Sequence, residues 1–434
     1  MTPRVRLSRA TSVAGLVALS LALPVAAAGG QTVAITGGRV HTVSGAVIEN
    51  GTVLMRDGRI VAVGANVAVP AGAERVDATG KIVTPGFFHG ATTLGVVEIG
   101  AVPETNDARP STDRSVVNAS VRIEDALNPA SVLLAPARNE GITTVLLMPS
   151  GGLVAGQAAI IDLSDSAAPA LLVRSSAAMV AQFGNAGGSD VGSRAQQVAQ
   201  FRTLMEDARA YRARRADYDR GASRELSASR ADLEAMLPVL EGRVPMMVSV
   251  DRASDILAIV RLAREYGIRL IVGGGAEAWQ VADSLAAANV PVLTVAMNNI
   301  PGSFATLGQR QENAALLEAA GVRVAIVSAE TGFNVRALRQ EAGNAVAYGM
   351  AWDDALRAVT LRPAQTFGIG DRYGSLDAGK VANVVVWSGD PFEFGTTADA
   401  VFVRGRRMEG ATRQDALMQR YRTTPPDYYA PPPE

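Results

Sequence analysis

The 434-residue sequence contains no cysteine, only two histidines and only two lysines, Lys81 and Lys380. The absence of cysteine excludes disulfides, thiolate nucleophiles and zinc sites with Cys ligands. It also suits an oxidising compartment, where a free thiol is a liability. The sequence lacks an excess of either charge sign as well, since the formal net charge is −1. This balance gives no indication of a nucleic-acid partner or of an anionic membrane surface.

The N-terminus has the pattern of a signal peptide over residues 1–28. Three arginines within residues 4–9 precede an apolar run from Val13 to Val25, and three alanines at 26–28 offer small residues for cleavage. The apolar run is too short to span a bilayer comfortably, so cleavage is favoured over a membrane anchor. We expect a mature chain that begins near Gly29, is periplasmic or secreted, and has no membrane attachment after cleavage.

Short β-rich runs with glycine-containing turns occupy both ends of the mature chain. In residues 29–84, Asp57-Gly58 separates two such runs and predicts a hairpin. In residues 366–412, Asn383–Trp387 and Ala400–Val403 have the same β-rich character. Two such segments that bracket the chain predict one sheet domain formed from both termini. Residues 413–434 are expected to form a short helix, with Leu417 and Tyr421 as its apolar contacts, and a Pro-rich tail.

Strand and helix patterns alternate between these segments, over residues 85–365. Buried parallel strands are predicted at Ile82–Phe88, Thr144–Met148, Pro245–Val250, Arg269–Val272, Pro291–Ala296 and Val322–Val327. Helices are predicted at Gln197–Arg215, Ala253–Tyr266, Glu277–Ala288, Gln311–Ala320 and Asn334–Tyr348. This alternation indicates a (β/α) barrel or an open doubly wound sheet. Residues 165–235 are the unclear region, with room for two more strands.

The segment Val83-Thr84-Pro85-Gly86-Phe87-Phe88 resembles the Pro-Gly-Phe-Ile-Asp-x-His-x-His segment of the amidohydrolase superfamily, in its imidazolonepropionase-like branch. Further matches occur in the family's order at 141–145, at the glycine-rich stretch 149–157, and at 255–256, 277–279, 356–360, 363–364 and 374–380. The resemblance covers nearly all of the mature chain. It implies an α/β fold: a distorted (β/α)8 TIM-like barrel with a composite β-sandwich domain formed from both termini. It also implies a hydrolase acting on non-peptide C–N bonds.

The family's active site is a one- or two-metal centre at the carboxyl mouth of the barrel. Its ligands are a His-x-His pair, often a carboxylated Lys, two later His and a final Asp, and the metal lowers the pKa of a bound water. The corresponding positions here are Ala91 and Thr93, Ser249–Asp251, Gly273 or Gly274, and Ala329. With His41 and His89 as the only histidines and no lysine between Lys81 and Lys380, the inventory excludes an imidazole-rich or Lys-bridged centre. We therefore expect no metal and no cofactor.

The remaining polar residues near the expected mouth provide the candidate site. Catalytic candidates are His89, Asp251 and Glu330, and a ligand pocket is predicted from Ala91, Thr93, Glu98, Ser249, Gly273, Gly274, Glu277 and Ala329. His89 could act as an acid or base, although a hydrogen-bonded residue at a packed strand end is the favoured interpretation, and His41 is interpreted as structural. The carboxylates could bind a divalent cation, although solvated loop residues paired with arginine are favoured. Gly273–Gly275 could hold an anion at a helix N-terminus.

Two functions remain open on these grounds. The first is a non-catalytic binding or partner protein, a pseudoenzyme that forms a homo-oligomer, joins an active relative in a hetero-oligomer, or holds a small-molecule ligand. The alternative is an active hydrolase with a reorganised, carboxylate-only metal site. Fold alone does not decide between them.

Overall fold

Two eight-stranded sheets organise the described chain. The computed structural model describes residues 31–110, 115–184, 191–297, 300–329, 332–409 and 412–422. The strands are β1 (Thr32–Val40), β2 (Ile48–Arg56), β3 (Arg59–Gly64), β4 (Glu74–Asp77), β5 (Ile82–Pro85), β6 (Phe87–Thr92), β7 (Ile142–Leu147), β8 (Val154–Asp162), β9 (Leu172–Gln182), β10 (Met246–Val250), β11 (Leu270–Gly274), β12 (Val292–Thr294), β13 (Val324–Ile326), β14 (Val384–Trp387), β15 (Ala398–Val403) and β16 (Arg406–Arg407). The predicted signal peptide and Pro-rich tail lie outside the described residues.

The helices lie mainly between the strands of the second sheet. They are α1 (Leu134–Asn139), α2 (Ala168–Leu171), α3 (Arg194–Ala213), α4 (Arg215–Asp219), α5 (Arg230–Leu240), α6 (Ala253–Tyr266), α7 (Ala282–Ala287), α8 (Asn313–Ala319), α9 (Leu338–Ala347), α10 (Trp352–Ala358), α11 (Leu361–Thr366) and α12 (Arg413–Tyr421). Short 3₁₀ turns occupy Pro103–Thr105, Ile123–Ala126, Ala278–Val281 and Phe333–Ala337. None of the helices in the described chain combines the length and the apolar character needed to cross a bilayer.

The first sheet joins the two ends of the chain, as the sequence predicts. β5 pairs antiparallel with β14, so that Ile82 lies opposite Trp387 and Pro85 opposite Val384. The β2–β3 hairpin turns at Asp57 and Gly58, which have φ values of 51° and 77°. Two adjacent residues with positive φ are typical of the type I′ turn, whose twist matches that of the flanking strands. The composite sheet and its Asp-Gly hairpin are thus confirmed.

The second sheet is a nearly closed barrel in the order β13-β12-β11-β10-β9-β8-β7-β6. β6 and β7 are parallel, and β9 to β13 are parallel to one another. β8 runs antiparallel to both of its neighbours. β13 and β6 approach each other at the seam, although no backbone ladder joins them in the described residues. The α/β barrel predicted from the sequence is therefore confirmed, with one reversed strand.

The helix α6 shows why the alternating pattern predicted the barrel well. Its observed bounds, Ala253–Tyr266, are those predicted from helical spacing, and its apolar residues Ile256, Ile259 and Val260 are buried in the main core. Gly267 ends the helix with a φ of 72°, a conformation that glycine adopts without steric cost. The periodic apolar face is sufficient to fix both the helix and the side that packs on the barrel.

Three expectations about individual elements are wrong. Ile82–Phe88 is not one strand, because β5 belongs to the composite sheet and β6 to the barrel. Gly86 separates them, and a Cβ atom there would lie 2.2 Å from Thr143 Oγ1, so only glycine fits this crossing. Among the described residues of 165–235, which exclude 185–190, β9 is the strand found, and the other missing strand, β8, covers part of the stretch interpreted as glycine-rich.

The third error concerns the C-terminal helix α12. Leu417 and Tyr421, expected to be its apolar contacts, are 41% and 61% exposed. Its short sequence is polar on most sides, and a Thr412–Asp415 capping box fixes its start. The helix is therefore held by local capping, and its apolar side chains face solvent in this chain.

A buried carboxylate, Asp162 at the end of β8, connects the barrel with the composite sheet. Its Oδ1 accepts hydrogen bonds from Thr144 Oγ1 at 2.9 Å and Asn383 Nδ2 at 3.0 Å. Its Oδ2 accepts from Tyr373 Oη at 3.0 Å and from Arg404 Nε at 2.6 Å. Asp162 is completely buried, and the charge is matched by one guanidinium. Burial and the Asp162 charge together raise the pKa of Tyr373, which stays a neutral donor.

Candidate functional site

A polar cavity of about 410 Å³ lies at the carboxyl ends of β6, β7 and β13. Its wall includes Thr93, one residue after β6, and Ser150, in the loop after β7. Glu98 and Asn106 come from the β6–β7 connection, and Ala329 follows β13. Carboxyl ends of parallel strands are where barrel proteins place their sites, because the βα loops converge there. This cavity is therefore the candidate functional site.

Three residues of the predicted ligand pocket line this cavity: Thr93, Glu98 and Ala329. The other five are absent from its lining: Ala91, Ser249, Gly273, Gly274 and Glu277. Asn106 and Ser150 line it without having been predicted. They lie in loops with no recognisable motif, and only the tertiary fold brings them to the mouth. Glu330 lies outside the described residues.

Glu98 is the charged side chain of the cavity wall. Among the described residues, its buried Oε1 atom has no hydrogen-bond partner. An unpaired buried acceptor is costly and is usually satisfied by water or a ligand. Thr93 and Ser150 add hydroxyl groups, which can both donate and accept. The cavity can therefore accept hydrogen bonds from a bound molecule through a carboxylate and offer it hydroxyl donors.

His89 on β6 is enclosed in the barrel wall and lies 0% exposed. Its Nδ1 accepts from the Ala91 amide at 3.2 Å, so the ring proton of the neutral form belongs on Nε2. Nε2 then donates to Ser328 Oγ at 2.8 Å. The Ser328 amide also lies 3.1 Å from Nε2, but Nε2 can accept from it only in the other tautomer, which leaves Nδ1–H without an acceptor. The first tautomer satisfies both ring nitrogens and is the one we adopt.

Burial lowers the pKa of His89 to about 3. The imidazole is therefore neutral near pH 7, and both of its nitrogens are engaged by Ala91 and Ser328. A lone pair that accepts a backbone proton is not available to a metal, and a group with this pKa is a poor acid at neutral pH. His89 therefore serves to hold β6 against the end of β13, through its hydrogen bond to Ser328 across the seam of the barrel.

His41, the second histidine, follows β1 and is 7% exposed. Its ring lies 4.6 Å from that of Trp352. Burial, with a smaller effect from the Arg39 charge, lowers its pKa. It lies in the region of the composite sheet and is not part of the mouth cavity lining.

Asp251 and Glu277, which follow β10 and β11, brace neighbouring loops. Asp251 Oδ1 accepts from the Ala276 amide at 3.2 Å. Glu277 accepts from the Ala253 amide at 3.0 Å and the Gly308 amide at 2.8 Å. Burial, and to a smaller degree the Glu277 charge, raises the pKa of Asp251. These carboxylates hold loop backbone, a role that sequence spacing did not distinguish from metal binding.

The described residues do not fit the metal centre that the family resemblance implies. Within them, no group of three or more His, Asp or Glu side chains lies close enough to share a metal ion. Ala91, Thr93 and Gly273, which the resemblance aligns with the family's ligands, offer no imidazole. Gly273, Gly274 and Gly275 do not line the mouth cavity, so they do not provide an anion-binding turn there. We therefore derive no metal-dependent step.

The barrel, the composite sheet and the mouth cavity define the class of amidohydrolase-type barrels. Residues 243–408 match the sequence model of the family described as "Amidohydrolase family". The amidohydrolase structure from Thermotoga maritima MSB8 superimposes with a TM-score of 0.79 and 26% identity, covering 87% of this chain and 100% of that one. Together these matches support the assignment of the chain to the amidohydrolase superfamily.

Two curated relatives agree with this assignment. The chain is 25% identical over 397 residues to an imidazolonepropionase from Acidiphilium cryptum (strain JF-5), covering 80% of this chain and 89% of that protein. It is 23% identical over 389 residues to amidohydrolase tasK from Hapsidospora irregularis, covering 83% of this chain. The chain spans 39% of the length of that fungal protein. These likenesses support the imidazolonepropionase-like resemblance seen in the sequence.

Proposed function

We propose that this protein is an exported, non-catalytic member of the amidohydrolase superfamily that binds a small polar molecule at the barrel mouth and works within a protein assembly. The observation that carries the proposal is the lining of the mouth cavity. It combines Thr93 and Ala329, which the resemblance aligns with metal ligands, with the carboxylate of Glu98, and it contains no histidine. In this family a metal supplies the hydrolytic water, and without it hydrolysis lacks its nucleophile.

The size and polarity of the cavity support a binding role. A volume of about 410 Å³ is in the range of small-molecule sites. The unpaired Oε1 of Glu98 would accept a hydrogen bond from an N–H or O–H group of the ligand. An amine or a polyol satisfies this requirement, whereas a second carboxylate would be repelled. The sequence pattern of residues 1–28 supports export, since it has the three regions of a signal peptide.

The purified mature protein is expected to contain no stoichiometric transition metal, because two histidines and no cysteine cannot form a zinc site of ordinary composition. Inductively coupled plasma mass spectrometry of protein from its own host tests this. One tightly bound zinc ion per chain would contradict it.

The same preparation tests the carboxylate-only alternative. A ligand that binds only the folded chain raises its melting temperature. We expect no rise with millimolar Mn²⁺ or Ca²⁺. The control variant is Glu265→Gln, which alters an exposed ion pair far from the mouth. If the melting temperature rises, and the rise is lost in Asp251→Asn but persists in Glu265→Gln, the protein is instead a hydrolase with a carboxylate-only metal site.

Exposed apolar side chains support the assembly. Ile300, Phe304 and Leu307, in the loop after β12, are 81%, 86% and 61% exposed. They lie on the mouth side of the barrel, since the loop leaves the carboxyl end of β12. Clustered exposed apolar residues of this kind mark surfaces that another chain covers. The partner in this proposal is a second chain of the same fold, either a copy or an active relative.

Native mass spectrometry of the endogenous protein is expected to show an oligomer, and the measured mass distinguishes a copy from a relative. A Phe304→Ser substitution should weaken the oligomer, while Phe394→Ser, at another exposed phenylalanine, should not. A lone monomer at physiological concentration would remove the assembly and leave ligand binding as the function.

A further inference from the structure

A second cavity, of about 370 Å³, lies at the opposite end of the barrel from the mouth. Pro245, Arg269, Pro291 and Arg323 line it, and each immediately precedes one of the strands β10 to β13. The cavity therefore opens at the amino ends of four consecutive parallel strands. It shares no lining residue with the mouth cavity. This end of such barrels ordinarily serves stability, so a polar cavity there calls for an explanation.

The charge of this second cavity is of one sign. Three arginines line it, Arg264, Arg269 and Arg323, and no Asp or Glu is among its lining residues. Glu318, on α8, pairs with Arg362 at 2.6 Å. Burial, together with the nearby Arg362 charge, lowers the pKa of Arg323. Like charges gathered without a counter-charge are unfavourable, and a bound anion removes that cost.

A hydroxyl group adds to the arginines. Thr366, the last residue of α11, lines the cavity and is 3% exposed. Among the described residues its Oγ1 has no hydrogen-bond partner. Arg269 donates one hydrogen bond to the Gly242 carbonyl at 3.4 Å, and its other N–H groups are available to a ligand. Several N–H donors and one hydroxyl around a small cavity form the donor set that oxyanions require.

We propose that this cavity binds a phosphate group, as the free ion or as a small phosphate ester. Arg323 and Arg269 would supply paired N–H donors, whose fork geometry matches two oxygens of the group. The cavity volume exceeds that of a phosphate ion and leaves room for the organic part of an ester. This cavity is separate from the mouth cavity, so the proposed phosphate binding does not depend on whether the mouth binds a small molecule.

Thermal unfolding of the full mature chain tests the proposal. Inorganic phosphate at 10 mM is expected to raise the melting temperature by about 2 °C over sodium chloride of equal ionic strength. Glucose 6-phosphate, compared in parallel, distinguishes the two sources, since a larger rise with the ester means that the organic part is also bound. Arg323→Gln should abolish the rise, and Arg420→Gln, on the exposed helix α12, should retain it.

The stability of the variants separates a site from a structural role. Because Arg323→Gln removes a charge that lacks a counter-charge, its melting temperature in chloride is expected to equal or exceed that of the parent. A structural arginine would show a fall instead. If Arg323→Gln does not fold, Arg264→Gln, on the exposed rim, carries the test. Equal rises in chloride and phosphate, or a rise that survives both substitutions, would overturn the proposal.

Discussion

Replacing Asp162 with alanine should lower the free energy of unfolding by about 3–5 kcal/mol, because it leaves three buried donors and the partly exposed Arg404 guanidinium without their acceptor. Asp162 is completely buried and accepts from Thr144, Asn383, Tyr373 and Arg404. Urea denaturation followed by circular dichroism measures the loss.

Two comparisons make the Asp162 experiment specific. Asp162→Asn keeps the shape of the side chain and one acceptor oxygen, so it should cost less than Asp162→Ala but still leave Arg404 unpaired. Glu265→Gln, which breaks an exposed ion pair with Arg202, should change stability little, since such pairs contribute little. A loss below about 1 kcal/mol for Asp162→Ala would show that the network does not hold the barrel to the composite sheet.

Acid should destabilise the protein through His89. Its folded-state pKa of about 3 lies below its ordinary value of 6.5. Between these two values the unfolded chain binds a proton that the folded chain does not, so stability falls as pH decreases. The contribution is complete above pH 6.5 and is lost progressively toward pH 3. At pH 4.5 it amounts to about 2–3 kcal/mol relative to pH 7.5.

The histidine variants isolate this effect from that of the carboxylates. His89→Gln cannot titrate, and its amide can still contact Ser328, so its stability should fall less between pH 7.5 and pH 4.5. His41→Gln is the matched control. It should keep most of the dependence of stability on pH, since the pKa of His41 is displaced less than that of His89. Denaturant titrations of the three proteins at both pH values measure the difference. If the parent and His89→Gln lose the same free energy of unfolding between pH 7.5 and pH 4.5, the acid sensitivity does not come from His89.

The elements predicted well from the sequence are those with local signals. The Asp57-Gly58 turn and the periodic face of α6 depend on neighbouring residues, so a single stretch of sequence contains the information. The composite sheet followed from two β-rich ends with no other partner. Each of these elements has the predicted place in the structure.

The elements missed depend on contacts between distant residues. The sequence of an apolar strand such as β8 does not show whether the strand will run parallel or antiparallel to its neighbours. Its antiparallel direction is set by the pairing with β7 and β9. Asp162 is one carboxylate among 42 acidic residues, and its partners Tyr373 and Arg404 lie more than 200 residues away in sequence. The positions of Asn106 and Ser150 in the mouth cavity likewise depend on loops whose conformation no motif specifies.

The β5–β14 pairing has a consequence for the order in which the chain folds. The paired strands are separated by about 300 residues, so their contact carries a large loop-closure cost and should form late. The hairpin β2–β3 and the meander β7–β8–β9 link near neighbours and can form early. Until β14 arrives, one edge of β5 remains an unpaired template for other strands. The last fifty or so residues of the chain therefore protect the first strands from aggregation during folding.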